Sequence, residues 1–267
     1  MTPHPGFPIT ARESGGQFVE AFARGLMVVM AFGEGFERMT LSQVAQRAGL
    51  TRAGARRLLY TLEQLGFVGH KERLFFLTPK ILRLGYAYTS SSPFWGYAHP
   101  ILGQLVGDAQ ETCTLAVLEG TEIVYVIRNS VRAVVTGGSV VGTRLPAYVT
   151  SMGRILLGGL PERDLDDYFE RANLQKYTER TLTDRDALRR EIAGDREQGW
   201  SWIQGELEEH ICGLSVPVND HEGKVCAALN ISVNSLRMTK EIALHTMLPR
   251  LLIAAEQLHR GLQLRAG

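Results

Sequence analysis

A chain of 267 residues with 45% hydrophobic content is long enough for one large or two modest domains, and apolar enough to bury a core. The longest strongly apolar run, Leu26 to Phe32, is far too short to span a bilayer, which excludes a transmembrane-helix protein. Net charge is only +1, but residues 1–92 carry 11 Lys and Arg against 6 Asp and Glu, and the remainder carries 18 against 22. A basic smaller part joined to an acidic larger part points to a polyanion partner at the N-terminal end.

The first residues, MTPHPGFPITARESGG, are rich in Pro, Gly and polar groups. They lack a basic stretch followed by an apolar run, so residues 1–17 read as a flexible tail, not a signal peptide. Residues 18–33 have the spacing of an amphipathic helix ending at Gly33. Thr40 is placed to cap a helix over LSQVAQRA, stopped by Gly49. Thr51 is placed to cap a second, whose apolar Ala55, Leu58, Leu59, Leu62 and Leu65 follow helical spacing up to Gly66. FVGH and RLFFL then form a β-hairpin around Lys71 and Glu72, and Pro79 opens a further helix. Ser90, Ser91, Ser92 and Pro93 mark the best domain boundary.

Beyond it, WGYAHPILGQLVGDAQE reads as helix, TCTLAVLE and EIVYVIR as strands turning at Gly120, and RAVVTGGSVV as another strand before a loop to Pro146. TSMGRILLGGL, PERDLDDYFERA and DALRREIAGDREQG are helical. WSWIQGEL, ICGLSVPVN and KVCAALNISV are strands, and one long helix runs from about Thr239 to Leu264. This half is α+β, with an antiparallel sheet and flanking helices.

Helix, short turn and helix from Leu41 to Leu65 have helix-turn-helix spacing. The second helix would enter the major groove, presenting Thr51, Arg52, Ala53, Gly54, Arg56 and Arg57. Arginine suits bidentate contact with guanine, and Arg52 is the best placed for it. Thr51 is a candidate for phosphate or a base edge, and small Ala53 and Gly54 allow close approach. Arg57 could instead pair with Glu63 or Glu72. The hairpin tip, His70, Lys71, Glu72 and Arg73, is a candidate wing against the DNA backbone. Eight basic residues and two acidic ones between Arg47 and Arg83 agree with this reading.

Together AFARGLMVVMAF, LSQVAQRAGLTRAGARRLLYTLEQLGFV, the hairpin, PKILRLGYAY, EIVYVIR and GLSVPVNDHEGKVCAALNISV resemble the IclR family of bacterial regulators, over nearly the whole chain from residue 18. GTRLPAYVTSMGRILL is especially similar to the branch controlling aromatic-acid breakdown through the β-ketoadipate pathway, with members that respond to protocatechuate or 4-hydroxybenzoate. The resemblance implies a winged helix-turn-helix over 18–78, a linker helix over 79–92 and a GAF-like effector-binding and oligomerisation domain over 93–267. It also implies dimers or tetramers on palindromic double-stranded promoter DNA, and a small-molecule effector without a cofactor.

The effector positions it implies are Tyr148, Thr150, Ser151, Met152 and Gly153 in the TSMG segment, with Glu206, Leu214, Asn230 and Ser232. A carboxylate would also find candidates in Arg128 and Arg132 at strand ends, and in N–H groups at the helix start. One departure stands out. Related regulators read like ELEEGLRSIAVPV, whereas His210 and Cys212 replace the usual Gly and Arg here.

Rival readings are weaker. GLSVP lacks the last Gly of a nucleophile elbow, and Thr143 and Arg144 replace the Lys-Ser/Thr pair that the Gly137–Gly142 run would need to bind phosphate. His210, Cys212, His221 and Cys226 leave open a metal- or thiol-based sensor, and a regulator without any effector is a further alternative. Three widely spaced cysteines and no CxxC fit reduced thiols in a cytoplasm.

Overall fold

The computed structural model describes residues 18–91, 93–130 and 140–263, and the chain divides after Ser91 into two compact units. The first unit opens with α1 (Glu20–Met30), then β1 (Met39–Thr40), α2 (Leu41–Arg47) and α3 (Arg52–Gln64). Thr40 closes a capping box with Gln43 at the start of α2. At the turn between α2 and α3, Gly49 takes φ +64°, a left-handed conformation that glycine adopts without strain. The hairpin β2 (Val68–Lys71) and β3 (Leu74–Leu77) follows, with β1 pairing on β3. Val28, Phe32, Met39, Val44, Leu59 and Val68 form the core that joins helices and sheet. Arg47 is structural: its Nε donates to Ala31 O at 2.8 Å and its guanidinium lies 3.6 Å from the Phe36 ring centre. A 3-10 turn at Pro79–Ile81 leads into α4 (Leu82–Ser91).

The second unit runs α5 (Pro93–Ala109), β4 (Thr112–Glu119), β5 (Glu122–Asn129) and β6 (Arg144–Pro146). It continues with a 3-10 turn at Ala147–Val149, α6 (Ser151–Gly158), α7 (Glu162–Arg171) and α8 (Arg185–Gln198). Next come β7 (Ser201–Gln204), β8 (Ile211–Asn219), β9 (Val225–Asn234), α9 (Lys240–Thr246) and α10 (Leu248–Gln263). The six strands form one antiparallel sheet in the order β6-β5-β4-β9-β8-β7.

Strand alternation gives this sheet two different faces. Leu115, Cys212, Leu214, Val216, Leu229 and Ile231 point to one side, into a dry core with α5 and α10. On the other side α6 packs across the central strands over Ala116 and Ala228, backed by Tyr168 and Phe169 of α7 and Ile192 of α8. Thr114, Ser215 and Asn230 are buried on that same side. The sheet therefore has one face that is apolar at its centre and one with a buried polar strip.

Several elements differ from the sequence reading. The long C-terminal helix is broken at Met247, because Pro249 has no N–H to give to the carbonyl four residues back and its ring crowds that carbonyl. The strand over WSWIQGEL stops at Gln204, where Gly205 turns at φ +71°. The loop before Pro146 contains β6, fixed to β5 by an ion pair between Arg144 Nε and Glu122 at 2.8 Å. The expected strand RAVVTGGSVV falls largely outside the described residues, as do Arg132, residues 1–17 and half of the Gly137–Gly142 run. Among the described residues no helix is long and apolar enough to cross a membrane.

Candidate functional site

In the first two turns of α3 the exposed side chains are Arg52, Ala53, Arg56 and Arg57. None of the three arginines makes an ion pair among the described residues, so Arg57 does not bond Glu63 or Glu72. Thr51 acts locally: its hydroxyl accepts the Gly54 N–H at 3.1 Å and caps α3. Gly54 serves that cap, since a Cβ there would stand 3.2 Å from Thr51 Oγ1. At the hairpin tip Lys71, Glu72 and Arg73 are exposed, and Glu72 takes φ +57°. His70 stacks on Phe75 with ring centres 4.6 Å apart, which stiffens the hairpin. A helix and a hairpin thus both carry free cations.

The polar face of the second sheet holds a cavity of about 450 Å³. It brings together Arg128, Thr150, Ser151, Met152, Glu206, Asn230 and Ser232, seven of the positions expected from the sequence. Leu145, Val149, Ile203, Leu207 and Ile211 supply apolar wall. Tyr148, Gly153 and Leu214 are not in the lining. The Tyr148 hydroxyl donates to Gln175 O and accepts Gln175 N–H, both at 2.6 Å, and burial pushes its pKa up to about 12. Gly153 is needed because a Cβ there would collide with the Ala147 carbonyl at 1.9 Å. Leu214 points through the sheet into the α5–α10 core, and only its carbonyl faces Asn230 Nδ2.

Register explains what sequence reading missed. Tyr125, Gly213, Glu111 and Arg237 also line the cavity. Gly213 neighbours Leu214, and in a strand neighbours face opposite sides. Arg237 Nη2 donates to both carboxylate oxygens of Glu111, at 3.0 and 3.1 Å. Among the described residues Arg128 has no such acid: Nη1 donates to Thr114 Oγ1 at 3.4 Å, and the guanidinium lies 5.6 Å from the Tyr125 ring centre. Glu206 is engaged, receiving Arg154 Nη2 at 2.6 Å and Leu182 N–H at 3.2 Å. Burial raises its pKa despite Arg154.

A second cavity of about 410 Å³ lies at the turn after β7, lined by Glu179, Arg180, Glu209 and His210 among others. Glu179 and Glu209 flank Arg180 in its lining, so it does not present the unopposed cation that a carboxylate needs. His210 is exposed while Cys212 is fully buried, so the two do not form one site. Burial raises the Cys212 thiol, the reverse of what a reactive thiolate needs. Among the described residues no three His, Cys, Asp or Glu side chains gather as a metal site.

Known proteins match this layout throughout. The model for the IclR helix-turn-helix domain matches residues 21–72, and that for the bacterial transcriptional regulator IclR C-terminal region matches 86–260. The Pca regulon regulatory protein of Pseudomonas putida is 40% identical over 242 residues, spanning 90% of this chain and 83% of that protein. The p-hydroxybenzoate hydroxylase transcriptional activator of Acinetobacter baylyi is 31% identical over 246 residues, spanning 90% and 91%. A transcriptional regulator from Rhodococcus sp. RHA1, solved by crystallography, superposes with a TM-score of 0.82 at 42% identity, covering 92% of this chain and 98% of that one. A helix-turn-helix with exposed arginines on its second helix, a basic hairpin and a ligand-sized cavity in a second unit fit one known design, and the chain belongs to the IclR family of effector-responsive, DNA-binding transcriptional regulators.

Proposed function

We propose that the protein controls genes for aromatic-acid breakdown in the cytoplasm, and that a small carboxylic acid in the α6–sheet cavity sets its activity. Arg128 carries this reading. It is a guanidinium without an acid partner among the described residues, in a cavity with apolar walls, the arrangement that holds a carboxylate and orients the body of the molecule. Thr150, Ser151, Met152, Asn230 and Ser232 complete the site. Because one relative is named for p-hydroxybenzoate hydroxylase, 4-hydroxybenzoate is the first acid to test.

On the DNA side, α3 enters the major groove of double-stranded promoter DNA, with Arg52 reading a base and Arg56 and Arg57 beside it. Lys71 and Arg73 contact phosphate. Residues 18–78 form the DNA-binding domain, 79–92 the linker and 93–267 the effector and assembly domain. Dimers, or tetramers built from them, place two recognition helices on a palindrome. The exposed row Phe22, Leu26 and Met30 along α1 supports a contact between copies. An effector alters DNA affinity by binding one arrangement of the copies better than another, and a ten-fold effect needs about 1.4 kcal/mol of difference.

The test is a thermal-shift titration of the full chain with 4-hydroxybenzoate, protocatechuate and benzoate. A dose-dependent rise is expected, by mass action on the folded state. Arg128→Gln is expected to weaken the acid about ten-fold or more while operator binding without effector persists. Unchanged acid affinity in that variant would remove Arg128 from the site, and no shift with any acid would refute the effector reading.

A further inference from the structure

Gly213 lies on the cavity face of β8, opposite Ser232 of β9 and Ile203 of β7, and all three line the cavity. A Cβ at this position would stand 2.5 Å from Ser151 Oγ and 3.2 Å from Asn230 Nδ2. The volume a side chain would fill is therefore occupied by the Ser151 hydroxyl, brought in from the first residue of α6. There it meets Ser215 Oγ at 2.8 Å and Asn230 Nδ2 at 3.3 Å. The Asn230 amide also donates to Leu214 O and to Ser215 Oγ, both at 3.1 Å. Ser232 Oγ donates to Asn230 Oδ1 at 2.7 Å.

Counting protons shows what this floor offers a guest. The Ser232 proton goes to Asn230, and the two amide protons go to the Leu214 carbonyl and the serine pair. Within that pair one hydroxyl donates to the other. With Ser215 as the donor of the pair, the proton of Ser151, which lines the cavity, has no acceptor among the described residues, and Ser232 Oγ keeps lone pairs. The floor thus presents one donor and one acceptor, while Arg128 presents a cation from β5.

We propose that Gly213 is a specificity-determining residue of the cavity: lacking a side chain, it admits the Ser151 hydroxyl to the floor, where the polar cluster reads a hydroxyl substituent on a carboxylic-acid effector. A hydroxyl both donates and accepts, so it uses both free valences, whereas a bare ring leaves them unmet. The inference rests on the effector reading of the cavity given above and adds which acids it prefers. Gly213 acts through Ser151, so its effect is one of positioning.

The experiment is isothermal titration of the full chain with benzoate, 3-hydroxybenzoate and 4-hydroxybenzoate, in wild type, G213A, S151A and G213A/S151A. Wild type is expected to prefer the better hydroxybenzoate over benzoate by roughly five- to ten-fold. In G213A and in S151A the preference falls to within about two-fold, and the double variant loses no more than S151A alone. The melting temperature supplies a second reading: G213A is lowered, and adding S151A raises it again because the clashing oxygen is gone. Retention of the preference in G213A, or strictly additive losses in the double variant, would overturn the proposal. Equal wild-type affinity for all three acids would overturn it alone, leaving the effector cavity intact. Failure of all three to bind would remove the effector reading for aromatic acids and this inference with it.

Discussion

Asp195 on α8 is buried, yet only one of its carboxylate oxygens is satisfied. Oδ1 accepts from Gln198 Nε2 at 3.0 Å, while Oδ2 and the buried Ser201 hydroxyl have no partner in hydrogen-bonding geometry among the described residues. Burial pushes its carboxyl up to about 6 from 3.8, against the opposing pull of nearby Ser201, Arg154 and Gln198, while Glu191 adds to the rise. The folded chain therefore holds a proton that the unfolded chain releases between pH 3.8 and about 6. Asp195 adds stability below that window and loses it as pH rises through it. Denaturant melts of wild type and D195N should show the variant gaining on wild type from about pH 4 to about pH 6 and holding a constant difference above, as the linkage relation requires. A difference that does not change with pH would show that Asp195 ionises as freely folded as unfolded. Arg154 sits between this acid and Glu206, and its Nε also donates to Tyr148 O at 3.2 Å. One buried guanidinium thus fastens the segment lining the cavity to α6.

Caps and turns decide the elements. Thr51 at the start of α3 shows how a residue type suited to two roles is assigned. As a cap, Thr51→Ala should cost about 1 kcal/mol of stability, and Thr51→Ser should restore it. Equal stability of Thr51→Ala and wild type in a chemical melt would return Thr51 to the candidate DNA contacts. The helices and the hairpin of the first unit were legible because Thr40, Thr51, Gly49 and Gly66 punctuate a clear 3.6-residue pattern. The strands of the second unit were legible from alternation. What was not legible depends on partners distant in sequence. β1 has two residues and exists only by pairing with Leu74 and Phe75, and β6 has three that pair with β5. The cavity lining was half legible for the same reason: Asn230 and Ser232 share a face, but a shift of one residue separates Gly213, in the cavity, from Leu214, behind it.

Across the whole chain, positive charge gathers in the first 92 residues and negative charge in the rest, so DNA binding by this protein should be strongly salt-dependent. The two kinds of cation on the first unit should separate in that dependence. Lys71→Ala is expected to weaken all sequences alike and lower the salt slope by about one phosphate contact. Arg52→Ala should cost about 1–3 kcal/mol on the operator and relax the choice of one base pair. Competition binding at several salt concentrations measures both, and an Arg52→Ala effect equal on operator and random DNA would make Arg52 a phosphate contact. The three cysteines carry a practical consequence. Cys113 and Cys212 are fully buried and Cys226 is half-buried, with the Cys113 thiol pushed up to about 12 and that of Cys226 to about 11. At neutral pH none offers an appreciable thiolate to an alkylating dye. R73C at the exposed hairpin tip would thus give one reactive handle in an otherwise native chain, and a fluorophore there would report the arrival of DNA.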